Sequence, residues 1–134
     1  MQINVKLSRF TLIFGFLLSL GLLLIGIFPV KNIGVVTIEH SVAAFLYWSG
    51  SLLFWLFLGL TEYSGPKELK IQAYVALTSF LFWLFFIGYL FLEFFLPHFI
   101  FNLEKFPQWL AHFIVVGSLI EHCLYFRKLN PSQK

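Results

Sequence analysis

Charge is what this chain has least of. Charged residues make up 11% of its 134 residues, and aspartate is absent, so all six acidic groups are glutamates. A soluble domain carries about 25% charged residues, so an ordinary water-soluble globule is excluded. The net charge of +3 comes with no basic block; the cations stand at the ends of apolar runs, which speaks against nucleic acid as a partner. The single Cys123 excludes an internal disulfide and any cysteine-only metal cluster. Also missing are a Ser-His-acid arrangement at a recognisable turn, a glycine-rich phosphate loop and a His-x-x-x-His pair. Catalysis therefore has little support. An interfacial lipid enzyme stays open only because sites are made by geometry rather than by motif.

What is present is apolar. Hydrophobic residues reach 60%, with 19 phenylalanines, and the mean hydropathy is +0.89. So much Phe and Leu needs lipid as its solvent, and the pattern predicts an all-α integral membrane bundle of four antiparallel transmembrane helices in a single domain, 1–134. The expected spans are about 10–30, 39–60, 71–96 and 107–126.

Lys6 and Arg9 precede the first apolar run, Phe10 to Val30, which is longer than a signal-peptide core and has no small-x-small cleavage site. It reads as a retained helix long enough for a hydrocarbon layer of about 30 Å. Pro29 ends it, because proline disfavours helix at the preceding residue and has no N–H. Ser8, Gly15, Ser19 and Gly26 fall near one face, and small residues let helices approach closely in lipid, so this stripe is the expected packing face. In the second helix Ala43, Gly50 and Ser51 suggest the same. Thr61 to Lys70 is polar with a Gly65-Pro66 turn, Pro97 stops the third helix, and Pro107 suits the first turn of the fourth.

Short connectors force antiparallel neighbours. Lys6, Arg9, Lys67, Lys70, Arg127, Lys128 and Lys134 then fall on one side, and only Lys31 and Lys105 on the other. The positive-inside rule puts both termini in the cytoplasm. Tyr63, Tyr74 and Tyr125 mark the inner interface and Trp109 the outer one. Ile38-Glu39-His40-Ser41 and Ile120-Glu121-His122-Cys123 echo each other, but on this topology they sit at opposite depths, so the echo is coincidence.

Gly26-Ile27-Phe28-Pro29 at a helix end, followed by His40 with Ala43, Ala44 and Phe45 opening the next helix, resembles the prokaryotic membrane family called domain of unknown function 998. The segment Trp109 to Arg127 is similar in texture to that family's final helix. The resemblance covers the last four of about six helices. It implies a polytopic helical protein of a prokaryotic cell membrane and brings no established activity with it.

Ionisable groups in a bilayer are functional candidates by default. Glu39, His40, Glu93, His98, Glu104 and His112 gather toward the outer side; Glu62, Glu68, Glu121 and His122 gather toward the inner side. None falls at a midplane, which argues against a transport path. His40 and His112 could ligate haem iron across the bundle, and with Glu93 or His98 they could hold a transition metal. The bland reading is interfacial histidines that tie helix ends to connectors, with no committed cofactor. Glu93 could meet Tyr89 on one helix face, or pair with a partner helix or His112. Glu121 and His122 suggest an inner ion-pair cluster with Arg127 or Lys128, and Cys123 a packed small residue.

Three function classes follow. One is a non-enzymatic accessory or assembly subunit that packs against itself or a larger membrane complex. Another is a haem or metal redox protein. The third is a lipid-binding protein whose outer polar ring and aromatic connector, Phe99 to Trp109, receive head groups.

Overall fold

Nothing along the apolar runs interrupts a helix, so the chain becomes helical wherever proline and the turn residues allow. A computed structural model describes residues 5–28, 37–95 and 106–129, with side chains over 5–28, 37–92 and 110–125. It contains α1 (Val5–Ile27), α2 (Ile38–Tyr63), α3 (Lys70–Phe95) and α4 (Phe106–Leu129), with one 3-10 turn, Lys67–Leu69, before α3. The described residues include no strand. Three of these helical runs, Val5–Ile27, Ile38–Tyr63 and Lys67–Leu92, are long and apolar enough to cross a membrane, and Leu110–Tyr125 is a shorter apolar helix.

α1 begins at Val5 rather than near Phe10 because Lys6 and Arg9 mark the end of the apolar run, and neither residue breaks a helix. It ends at Ile27, two residues before Pro29, with the Phe28 N–H donating to the Leu24 carbonyl at 2.8 Å. α2 starts at a capped N-terminus. Thr37 is extended, and its hydroxyl oxygen accepts from the His40 N–H at 3.3 Å. At the far end the Ser64 N–H donates to the Leu60 carbonyl and Gly65 N–H to the Glu62 carbonyl. Pro66 then opens the 3-10 turn that leads into α3.

The chain divides into two compact units, 1–80 and 81–134, with the division inside α3. In the first unit α1 lies along α2 in the opposite direction. Gly21 faces Tyr47, Leu18 faces Gly50, Gly15 faces Phe54, and Thr11 faces Thr61. Rings of Phe10 and Phe14 stack on Phe57 with centroids 5.1 and 5.3 Å apart. The face that packs is therefore Thr11, Phe14, Gly15, Leu18 and Gly21. The stripe of small residues expected there shares only Gly15 with it. Gly26 has no atom near its missing side chain, and Ser19 is exposed. At 100° per residue the two faces lie roughly a quarter turn apart. Ser19 satisfies its own hydroxyl on the Gly15 carbonyl at 2.9 Å, so it needs no neighbouring helix. On α2 the expected Ala43, Gly50 and Ser51 are all buried.

α3 returns beside α2 within the same unit. Gly59 faces Leu77, and Tyr63 and Tyr74 meet edge to face with centroids 6.3 Å apart. In the second unit Trp83 and Phe86 are buried with ring centroids 5.5 Å apart, and Ala111, Val115 and His122 are buried along α4.

Candidate functional site

Among the described residues the buried set mixes apolar side chains with Ser51, Glu62, Gln72, Ser79 and His122. Buried positions on α2 follow one helical seam, Ala43, Tyr47, Gly50, Ser51, Trp55, Gly59 and Glu62. On α3 the buried positions are Gln72, Ala73, Ala76 and Ser79 in the first unit and Trp83 and Phe86 in the second. Spacings of three and four residues keep each set on one side of its helix. Against this, Leu12, Phe45 and Phe85 face outward with 72%, 69% and 73% of their surface exposed.

Glu62, only 3% exposed, and Gln72, 1% exposed, are the seam members with most chemistry. Glu62 occupies the last turn of α2, just before the chain reverses, and Gln72 the first turn of α3. Leu69, also buried, packs its δ-methyl toward Gly65 in the turn between them. Ser79 donates to the Val75 carbonyl at 3.0 Å. The Ser51 hydroxyl oxygen, fully buried, finds no hydrogen-bond partner among the described residues. The sequence places Glu62 among the inner-side ionisable groups, but its burial, and Gln72 altogether, escape a sequence reading because both stand at helix ends, where water is the ordinary neighbour of a polar group. The available signal was their register: each continues the three-four spacing of small and polar residues in its helix.

His40 ties two helix ends together. Its Nδ1 lies 2.7 Å from the Phe28 carbonyl oxygen. A carbonyl only accepts, so Nδ1 carries the hydrogen, and one of the orphan carbonyls beyond the end of α1 gains a partner. His112, half-buried on α4, belongs to the second unit. Glu93 falls in the last turns of α3, where side chains lie outside those described, and His98 and Glu104 lie outside the described residues altogether. Among the described residues no group of three or more His, Cys or acidic side chains could hold one metal ion.

At the other end of α4, buried His122 donates from Nδ1 to the Ser118 carbonyl at 2.8 Å, with Glu121 Oε2 at 3.3 Å. Arg127 and Lys128, the cations expected near Glu121, have side chains outside the description. Cys123 is an exposed free thiol, where a packed small residue was expected, because it falls on the outward face of α4 next to buried His122. His40 and His122 thus differ in setting as well as in place: one bridges two helices, the other bonds back within its own.

Comparison of the chain with family models, with curated proteins and with solved structures finds no match.

Proposed function

We propose that this chain is a small polytopic integral membrane protein, four antiparallel spans with both termini cytoplasmic, acting without catalysis as an accessory or assembly subunit. It packs against itself or a larger membrane complex. The prokaryotic cell membrane is its proposed location, in keeping with the phrase from Gly26 to Pro29 and His40 that resembles domain of unknown function 998.

One observation carries the reading. The chain covers little of its own apolar helices: 11%, 33% and 22% of the most apolar stretches of the three long runs are buried. Apolar surface left in water costs about 25 cal/mol per Å², so surface on this scale requires lipid, another membrane subunit, or both. Among the described residues the link between α2 and the turn before α3 is short, Ser64 to Pro66.

The test is purification of the full chain from its native membrane in a mild detergent, with mass spectrometry of everything that accompanies it and an absorption spectrum. Larger membrane proteins at fixed stoichiometry and a blank visible spectrum are expected. A lone protein with a Soret band that disappears in His40→Ala or His112→Ala would replace this reading with the haem one.

A further inference from the structure

The two ends of the first unit carry different charge. The Oγ1 atoms of Thr11 and Thr61 stand 3.2 Å apart, which sets the start of α1 beside the end of α2. Contact between Tyr63 and Tyr74 brings the start of α3 to the same end. Lys6, Arg9, Lys67 and Lys70 are thereby gathered there, the first three exposed and Lys70 half-buried. Glu68 is the exposed acid at this end, and Glu62 is buried. At the opposite end the charged group among the described residues is Glu39. Lys70 is already held in place: its Nζ donates to the Tyr63 carbonyl and lies 4.0 Å from the centre of the Tyr63 ring. Arg9 and Lys67 form no ion pair among the described residues.

We propose that this end of the first unit binds the phosphodiester head groups of anionic phospholipids. The inference rests on the reading that α1, α2 and α3 cross a bilayer. Helices of 23 and 26 residues run roughly 35–39 Å at 1.5 Å per residue, longer than a hydrocarbon layer of about 30 Å. Cations at their ends therefore stand at head-group level. Tyr63 and Tyr74, both exposed, supply the amphipathic rings that favour that level. An anionic surface attracts each such cation by several-fold in affinity. Phosphate is the matching ligand: Arg9 can grip two of its oxygens, while Lys6, Lys67 and Lys70 act as point charges.

The experiment places the full chain in vesicles of equimolar phosphatidylcholine and phosphatidylglycerol, extracts it with its bound lipids, and measures them by mass spectrometry. Phosphatidylglycerol should be enriched over the bulk by about tenfold. The enrichment should fall toward parity in Arg9→Gln/Lys67→Gln and at high salt, and return in Arg9→Lys/Lys67→Arg. Parity in the unmodified chain, or enrichment untouched by the glutamine pair, would overturn the proposal. Soluble glycerol phosphate should not displace the bound lipid; if it does so as well as phosphatidylglycerol, the surface is not a lipid site. A parallel arm in pure phosphatidylcholine separates the two ideas. A chain that resists carbonate extraction there but selects no anionic lipid retains its membrane reading and loses this one. Failure to insert at all removes both.

Discussion

Replacing Gly21 or Gly50 by alanine probes what joins α1 to α2. A Cβ on Gly21 would lie 2.3 Å from the Tyr47 nitrogen, 2.6 Å from its Cα and 2.9 Å from the Leu46 carbonyl carbon. On Gly50 it would lie 2.6 Å from the Leu18 nitrogen and 2.9 Å from its Cα. Non-bonded carbons settle at about 3.5–4.0 Å. All of these obstructing atoms are backbone, so no side chain can swing aside and the helices themselves must part by about 1 Å. A gap of that size forfeits a quarter to a half of the dispersion energy across it. The expected cost is about 1–3 kcal/mol for each substitution. Gly21 and Gly50 press on the same crossing, so once one alanine has opened it the second should cost less, and the double variant should fall short of the sum.

Gly26, Gly88 and Gly117 are the controls, since a Cβ at any of them meets nothing within 4 Å. The readout is disulfide formation between Thr11→Cys and Thr61→Cys in a Cys123→Ser background, together with loss of helical circular dichroism as denaturing detergent is titrated in. Gly21→Ala and Gly50→Ala should slow the crosslink and lower the midpoint, while the control alanines leave both alone. If all five alanines behave alike, backbone contact at this crossing does not hold the pair.

Other substitutions test single groups. Ser51→Ala removes a buried hydroxyl with no partner among the described residues, so detergent unfolding should show stability unchanged or raised by up to about 1 kcal/mol; a loss beyond that would mean the hydroxyl is satisfied. His40→Ala strands the Phe28 carbonyl and should cost about 1 kcal/mol by the same measurement, with His40→Gln recovering part of it. Equal stability of all three forms would refute the tie between helix ends. Cys123, exposed near the end of α4, should react with a membrane-permeant maleimide in intact cells before an impermeant one; prompt reaction with the impermeant reagent would invert the proposed orientation.

Punctuation made the helices legible. Pro29 and the Gly65-Pro66 pair both mark ends in the structure, because missing N–H groups act locally whatever the solvent. Charges were weaker markers: Lys6 and Arg9 lie inside α1, since charge sets where a helix leaves an apolar layer and not where its backbone bonds stop. Facing was harder still. Phe80, Phe82, Phe85, Phe86 and Phe91 surround α3 in sequence, and nothing in their chemistry tells that Phe86 is buried while Phe85 and Phe91 are exposed. A helix apolar on every side has no amphipathic direction to read. The small residues of α1 misled for a related reason. Any stripe of them permits close approach, and which one is used depends on the shape of the partner, here the Gly50 notch against Leu18.

Facing becomes legible once water is dropped as the reference solvent. Where surroundings are apolar, hydrophobicity no longer drives side chains inward, and helix contacts favour small residues and hydrogen-bonding groups. The buried positions of α2 and α3 include the groups that rule favours, alanine, serine, Gln72 and Glu62, together with the large rings of Tyr47, Trp55, Trp83 and Phe86. Many leucines and phenylalanines stay exposed, among them Leu12, Phe45 and Phe85, while Leu18, Leu69 and Phe86 are buried. In water the same arrangement would be inverted and unstable, since a buried polar group repays its desolvation only by finding a partner. Buried polar groups beneath an apolar coat are in keeping with the proposed lipid surroundings. Glu62 and Gln72, both at helix ends by sequence, are accordingly among the most enclosed side chains in the first unit.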